Sequence, residues 1–384
     1  MASSKLIAVF DKDDLFNNAV TALSMDVEEV FFIHHHEIEE KYTEHLSGVI
    51  HRHKNIRLNY VEILDDEHDI DAILEANPGI IVDVGGEKYL SLVLFHKVLT
   101  KDNPIIYYDD EENRIKFYRS HTTLLRHVFS LSIKDLVALQ GGEIRDYMHK
   151  AVDQKDESTR KLIDKAVSSS VGSYSRFTSF ISKVNSVIAK KQISGIHYAL
   201  TNDEAARIRT DDAYYKYADL GLLKIEGNRL SFPSRKIASL FEVSGAFLEN
   251  YLYMKLTDSG YFDDVMMSAV IDFSGDIKRY PVVCEIDCLV LKDNRLLFVS
   301  CKSNKVDTAA LNEIKVHNTM FGNSLSYPVL CTLDDLDTKS PSVYGKGREL
   351  SVAIIDRSSF EEERLAEDFL AILEDRYTYE KLPD

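Results

Sequence analysis

Through the first third of the chain, short apolar runs alternate with amphipathic stretches. Residues 6–10, 29–33, 59–63, 79–84 and 104–108 are compact runs rich in Val, Ile, Leu, Phe and Tyr, which predicts strands, and 114–118 predicts one more. Between them, 15–24, 37–51, 69–77 and 88–100 repeat apolar residues at helical spacing and predict helices. Strict strand–helix alternation predicts a mostly parallel, doubly wound α/β sheet with helices on both faces. Ligands of such sheets sit at the carboxyl ends of the strands. Asp11 and Lys12 follow the first strand, and Gly85, Gly86 and Lys88 follow the fourth. Glycine amides at a helix N-terminus, with a lysine beside them, favour an anion. A dinucleotide-binding reading fails, because no Gly-x-Gly-x-x-Gly follows the first strand.

The pattern then changes. Residues 121–200 read as helical, with a charged stretch at 153–160 and a Ser- and Gly-rich flexible stretch at 168–173. Helices are expected over 203–209 and 214–220, followed by a hairpin around Gly227 and Asn228. Helix, helix and wing in that order suggest DNA binding. The second helix carries Asp219 and few bases, however, and makes a poor reader of DNA, so this region reads as a connector.

The most chemically informative stretch lies further on. Two apolar runs, 283–291 and 295–302, flank the polar triplet Lys292, Asp293 and Asn294, which predicts a β-hairpin. Side chains two apart on a strand point the same way, so Glu285 shares a face with Asp287, and Ser300 with Lys302. Alternating charge also marks an ordinary solvated face. Here Val283, Leu289, Leu291, Leu297 and Phe298 make both strands apolar enough to be interior, where unpaired acids are costly. Two carboxylates and an ammonium converging across a hairpin can hold a divalent cation and stabilise a phosphodiester being cut. A helix beginning at 247, with Glu249 in its first turn, precedes the hairpin, and a helix over 311–321 ending at Gly322 follows it.

These residues resemble the PD-(D/E)xK nuclease superfamily and, more narrowly, the ancillary nucleases of type III CRISPR systems that carry an N-terminal CARF sensor domain. The nuclease resemblance rests on Ser244 to Tyr253, on Cys284, Glu285, Ile286 and Asp287, and on Ser300, Cys301 and Lys302. It implies a restriction-endonuclease-like αβββαβ domain in which Glu249, Glu285 and Asp287 bind Mg²⁺ or Mn²⁺ and Lys302 acts on the attacking water or the phosphate. Members of the superfamily place an acid two residues before the lysine, where this chain has Ser300. The sensor resemblance rests on Gly85, Gly86 and Lys88, on 105–109, and on Asn113, Arg114 and Ile115. It implies a Rossmann-like CARF domain, a homodimer, and cyclic tetra-adenylate as the activating ligand, with Gly85, Gly86 and Lys88 on phosphates and Asp11 and Lys12 lining the site. The implied activity is endonucleolytic cleavage of DNA, RNA or both, switched on by the ligand.

At 384 residues the chain has room for two or three domains, read as a sensor over 1–130, a helical, winged-helix-like connector over 131–240 and a nuclease over 241–384. The net charge of −17 argues against constitutive nucleic-acid binding, against which stand basic residues near the hairpin: Lys278, Arg279, Lys305, Lys315, Lys346 and Arg348. Four cysteines without a Cys-x-x-Cys pair, no membrane-spanning run and no secretion signal predict a cytoplasmic protein. His34, His35 and His36 read as a strand running into a loop, since three successive residues of a regular strand cannot face one ion. His51 and His53 read as surface residues, and the acidic clusters 65–71 and 109–112 as solvated turns. Two rival readings stand beside the nuclease: a non-catalytic sensor acting on DNA or a partner through the middle region, and a sensor domain that degrades its own ligand.

Overall fold

The computed structural model describes residues 4–66, 68–118, 126–145, 152–189, 191, 195–243, 245–273, 283–302, 306–320, 326–336 and 340–374. Lys278, Arg279, Lys305, Ser244 and Gly322 lie outside the described residues. The chain packs as two compact units, one centred on Met1–Ile144 and the other on Arg145–Val270, Cys284–Met320 and Ser326–Asp384.

In the first unit the alternation is realised as β1 (Lys5–Val9), α1 (Leu15–Ser24), β2 (Glu29–His34), α2 (Glu40–His53), β3 (Arg57–Glu62), α3 (His68–Ala76), β4 (Ile81–Asp83), α4 (Lys88–Val98) and β5 (Ile105–Asp109). Then come β6 (Arg114–Phe117), β7 (Arg126–His127) and α5 (Ile133–Leu139). The strand order is β3-β2-β1-β4-β5-β6-β7, with the first five parallel and β6 and β7 antiparallel. The direction in which successive strands are added reverses between β1 and β4, the place where doubly wound folds open a crevice. Ile7, Val9, Ile33 and Val82 pack one face against Ile70, Leu74, Leu90, Leu94 and Val98 of α3 and α4. Helices α1, α2 and α5 pack on one another as a separate layer. Helix α2 begins at Glu40 rather than at 37, and 37–39 are irregular backbone bordering a cavity.

After β8 (Glu143–Arg145), the second unit opens with α6 (Glu157–Ser168) and α7 (Tyr174–Ile188). It continues with β9 (His197–Ala199), α8 (Asn202–Arg209), α9 (Asp212–Asp219), β10 (Lys224–Glu226), β11 (Arg229–Ser231) and α10 (Arg235–Leu240). β10, β11 and β9 form a small antiparallel sheet in that order, with α8 and α9 between β9 and β10 in the chain. There follow α11 (Ala246–Ser259), β12 (Asp264–Asp272), β13 (Val283–Lys292), β14 (Arg295–Lys302), α12 (Thr308–Met320) and β15 (Ser326–Thr332), then α13 (Pro341–Leu350), β16 (Ala353–Ile355), α14 (Arg357–Glu361) and α15 (Leu365–Leu373).

Strands β16, β15, β14, β13 and β12 lie side by side in that order, β13 and β14 as the antiparallel hairpin and β14 to β16 parallel. Asp293 and Asn294 turn the hairpin with φ of 50° and 62°, the left-handed pair that matches strand twist. One sheet face, with Cys288, Val290, Leu297, Val299 and Cys301, packs on α11, α15 and the segment from α6 to α10 in one continuous core. The other face carries α12 and α13 through Leu311, Ile314, Val343 and Tyr344 against Leu330 and Ile354.

Candidate active site and ligand cavity

Strand alternation decides where the hairpin's polar residues go. Because Cys288, Val299 and Cys301 face the large core, Asp287, Ser300 and Lys302 face α12. There they line, with Glu285, a cleft of about 370 Å³, closed on its far side by Glu313, Ile314 and His317 of α12. Oδ2 of Asp287 accepts from the backbone N–H of Cys301 at 2.6 Å and from Ser300 Oγ at 3.2 Å. Burial pushes the Asp287 carboxyl up; the Cys301 amide, the Lys302 charge and Ser300 work against that rise. Lys302 Nζ stands 3.4 Å from Glu313 Oε2. Glu313 and His317 are one helical turn apart and border the cleft together. Sequence reading passed both over, since only the packing of α12 on the sheet brings them to the hairpin.

Glu249 arrives from the opposite layer. It sits in the first turn of α11, only 9% exposed, and accepts from Ser268 Oγ at 3.2 Å. Ser268 holds a left-handed φ of 50° inside β12. Gly245, at the N-terminus of α11 with φ of 102°, makes room for the acid, since a Cβ there would stand 3.0 Å from Glu249 Oε1. Burial first, and then the charges of Asp287 and Glu285, push the Glu249 carboxyl up to about 8, with the Ser268 bond opposing. Glu249 therefore feels the hairpin acids without lining their cleft. Among the described residues, no three His, Cys, Asp or Glu side chains form a ready-made metal-holding group. The donor set is all carboxylate oxygen, which suits a hard divalent cation, and a buried acid crowded by like charge is relieved by one. The chemistry of these residues fits Mg²⁺ or Mn²⁺.

In the first unit, a cavity of about 960 Å³ opens at the carboxyl ends of β1 and β2 and beside the start of α4. Asp11 and Lys12 line it, with Phe10, Asp13, His34, His35, His36, Glu37, Tyr42 and Tyr89. Gly85, Gly86 and Lys88 lie outside its lining. The helix N-terminus expected to receive an anion is already filled, because Glu87 accepts from the N–H groups of Tyr89 and Leu90. The Gly85 N–H is likewise engaged, donating to Asp83 Oδ1 at 3.0 Å. Gly86 is needed by the backbone: its φ is 94°, and a Cβ would come within 2.7 Å of the Val9 carbonyl oxygen.

Asp66, expected in a solvated turn, meets His35 Nε2 at 2.5 Å and accepts from the Tyr89 hydroxyl at 3.0 Å. His51 and His53 are exposed as expected, and His53 also pairs at 2.9 Å with Asp135, which is 2% exposed. In both cases the partner is distant in sequence. Among the described residues, no helix is long and apolar enough to cross a membrane. All four cysteines are free and buried.

No family model matches the chain, and no curated protein matches it. Solved structures do. Protein VC1899 from Vibrio cholerae superposes with a TM-score of 0.78 at 13% identity, over 97% of this chain and 98% of that one. Can2 from Sulfobacillus thermosulfidooxidans, solved in complex with cyclic tetra-adenylate, superposes with a TM-score of 0.70 at 16% identity, over 95% and 97%. The chain shares its fold, nearly end to end, with both of these proteins.

Proposed function

We propose that this protein is a cyclic-oligoadenylate-activated, metal-dependent endonuclease of type III CRISPR defence, acting as a homodimer on DNA, RNA or both. The observation that carries the reading is the shared cleft of Glu285, Asp287, Ser300 and Lys302 on one face of the hairpin, with Glu249 buried behind it. The likeness of fold to a protein solved with cyclic tetra-adenylate supports that ligand for the cavity in the first unit.

Bound Mg²⁺ or Mn²⁺ would be held by Asp287, Glu285 and Glu249, supplying charge neutralisation at the phosphate and a more acidic water. Asp287 is kept in place by the Cys301 amide and Ser300. That leaves its second oxygen for the cation. Lys302 presents a fixed positive charge to the scissile phosphate, and Glu313 holds the ammonium at the cleft while substrate is away. Ser300 supplies a hydroxyl where an acid would add a further anionic ligand, so metal affinity rests on the other three carboxylates.

A second reading, a ligand sensor without hydrolytic activity, is favoured by Ser300 and by the lack of a preformed metal group among the described residues. Its DNA-binding form is disfavoured by α9, whose exposed positions are Asp212, Tyr215, Lys216 and Asp219, with Lys216 committed to the Ser169 carbonyl. A cleavage assay on plasmid, single-stranded DNA and RNA, with each cyclic oligoadenylate and Mn²⁺ or Mg²⁺, separates the two. Ligand-dependent cutting supports the nuclease. Ligand binding without any cutting supports the sensor.

A further inference from the structure

The cleft beside the hairpin holds one carboxylate more than those already placed around a cation. Ser300 stands next to Asp287 and donates its hydroxyl to it at 3.2 Å, so the hairpin brings two acids to the cleft, Glu285 and Asp287. Glu249 lies behind them, buried and outside the lining. Glu313 closes the opposite wall from α12. The helix that carries it is fixed, because Leu311 and Ile314 are buried in one cluster with Leu330 and Ile354. The Glu313 side chain, in contrast, is 57% exposed and meets Lys302 at 3.4 Å, a loose pair. An exposed ion pair of this kind contributes little, and a doubly charged cation is a stronger partner for the same carboxylate.

We propose that Glu313 is a movable metal ligand. As a divalent cation enters the cleft, Glu313 leaves Lys302 and joins Asp287 and Glu285 around the ion. The helix thereby supplies the negative charge that Ser300 leaves off the hairpin. This inference rests on the reading of the cleft as a metal-dependent nuclease site. The exchange has two effects. It adds an anionic oxygen where a hard cation sits. It also takes the counter-ion from Lys302, whose ammonium is then open to a phosphate only when the metal is in place. Without metal, Glu313 keeps Lys302 neutralised, and the cleft holds nucleic acid weakly.

The test is calorimetric titration of Mn²⁺ into the full-length protein, with the melting temperature in EDTA as the check on folding. Glu313→Gln should bind Mn²⁺ about tenfold more weakly than the parent and melt at nearly the same temperature, since the side chain is exposed. Lys302→Met removes the ion pair, and so separates ligation from an effect passed through the lysine. Glu313→Gln added to Lys302→Met should still weaken Mn²⁺ binding about tenfold. Ser300→Asp added to Glu313→Gln should bring the affinity back to the parent's, because the hairpin then supplies the charge. Mn²⁺ bound equally by the parent and Glu313→Gln, or a loss that vanishes in the Lys302→Met background, overturns the inference and leaves the nuclease reading standing. A parent that binds no Mn²⁺ overturns both.

Discussion

The backbone N–H of Cys301 donates to Oδ2 of Asp287 at 2.6 Å, tying the tip of one hairpin strand's acid to the backbone of the other. The acid is thereby aimed before any cation or substrate arrives, and its charge is the part that chemistry would use. Asp287→Asn keeps an acceptor for the Cys301 amide and removes the charge. Plasmid cleavage should drop by at least about 100-fold while the melting temperature and cyclic tetra-adenylate binding stay near those of the parent.

Glu249 is stable only at a cost, being buried, close to Asp287 and pushed up to about 8. Glu249→Gln keeps an acceptor for Ser268 and removes the ionisable group. In EDTA at pH 8 the variant should melt higher than the parent, and added Mn²⁺ should raise its melting temperature less than it raises the parent's. A variant that melts lower in EDTA would argue against this account of the buried acid.

Ser300→Asp places an acid beside Asp287 on the cleft face. Calorimetry should show Mn²⁺ bound about tenfold more tightly, with stability in EDTA reduced because two carboxylates then share one place.

Asp83 is buried in the first unit, and burial pushes its carboxyl up to about 6 against the Gly85 amide and Thr21. The folded form therefore holds a proton that the unfolded chain has lost above about pH 4. Stability contributed at low pH is lost as pH rises from about 4 to about 6, by as much as about 3 kcal/mol. Urea unfolding across that window should show the fall, and Asp83→Asn should flatten it.

Gly86→Ala forces a Cβ onto the Val9 carbonyl at a left-handed φ. It should cost about 2 kcal/mol of stability, read from the urea midpoint.

Much of this was legible in the chain. The limits of α1 match the expected 15–24, because Asp14 caps a helix whose apolar spacing is regular and whose end meets Met25 in extended backbone. The hairpin was legible from the period-two pattern and its polar triplet, and so was the common face of Asp287 and Lys302. Lys302's partner Glu313 was not, because a salt bridge across a sheet and a helix leaves no local pattern. For the same reason the pairing of Asp66 with His35 was not legible, although the three histidines do run from a strand end into a loop as expected. Gly85 and Gly86 did mark a tight strand–helix junction. Gly86 serves close approach to the Val9 carbonyl and Gly85 leaves room for the Asn17 side chain, with Glu87 occupying the helix end that an anion would have used.

The aromatic chain through the second unit has a mechanical meaning. Phe247 of α11 packs on Phe177 of α7 at 5.0 Å and on Phe241 at 5.4 Å, two residues away in sequence from Glu249. Close-packed interiors transmit displacement rather than absorb it. Helix α7 and the helix bearing the buried acid therefore belong to one packed core with the hairpin sheet, so a cavity opened at Phe177 or Phe241 would be felt at Glu249.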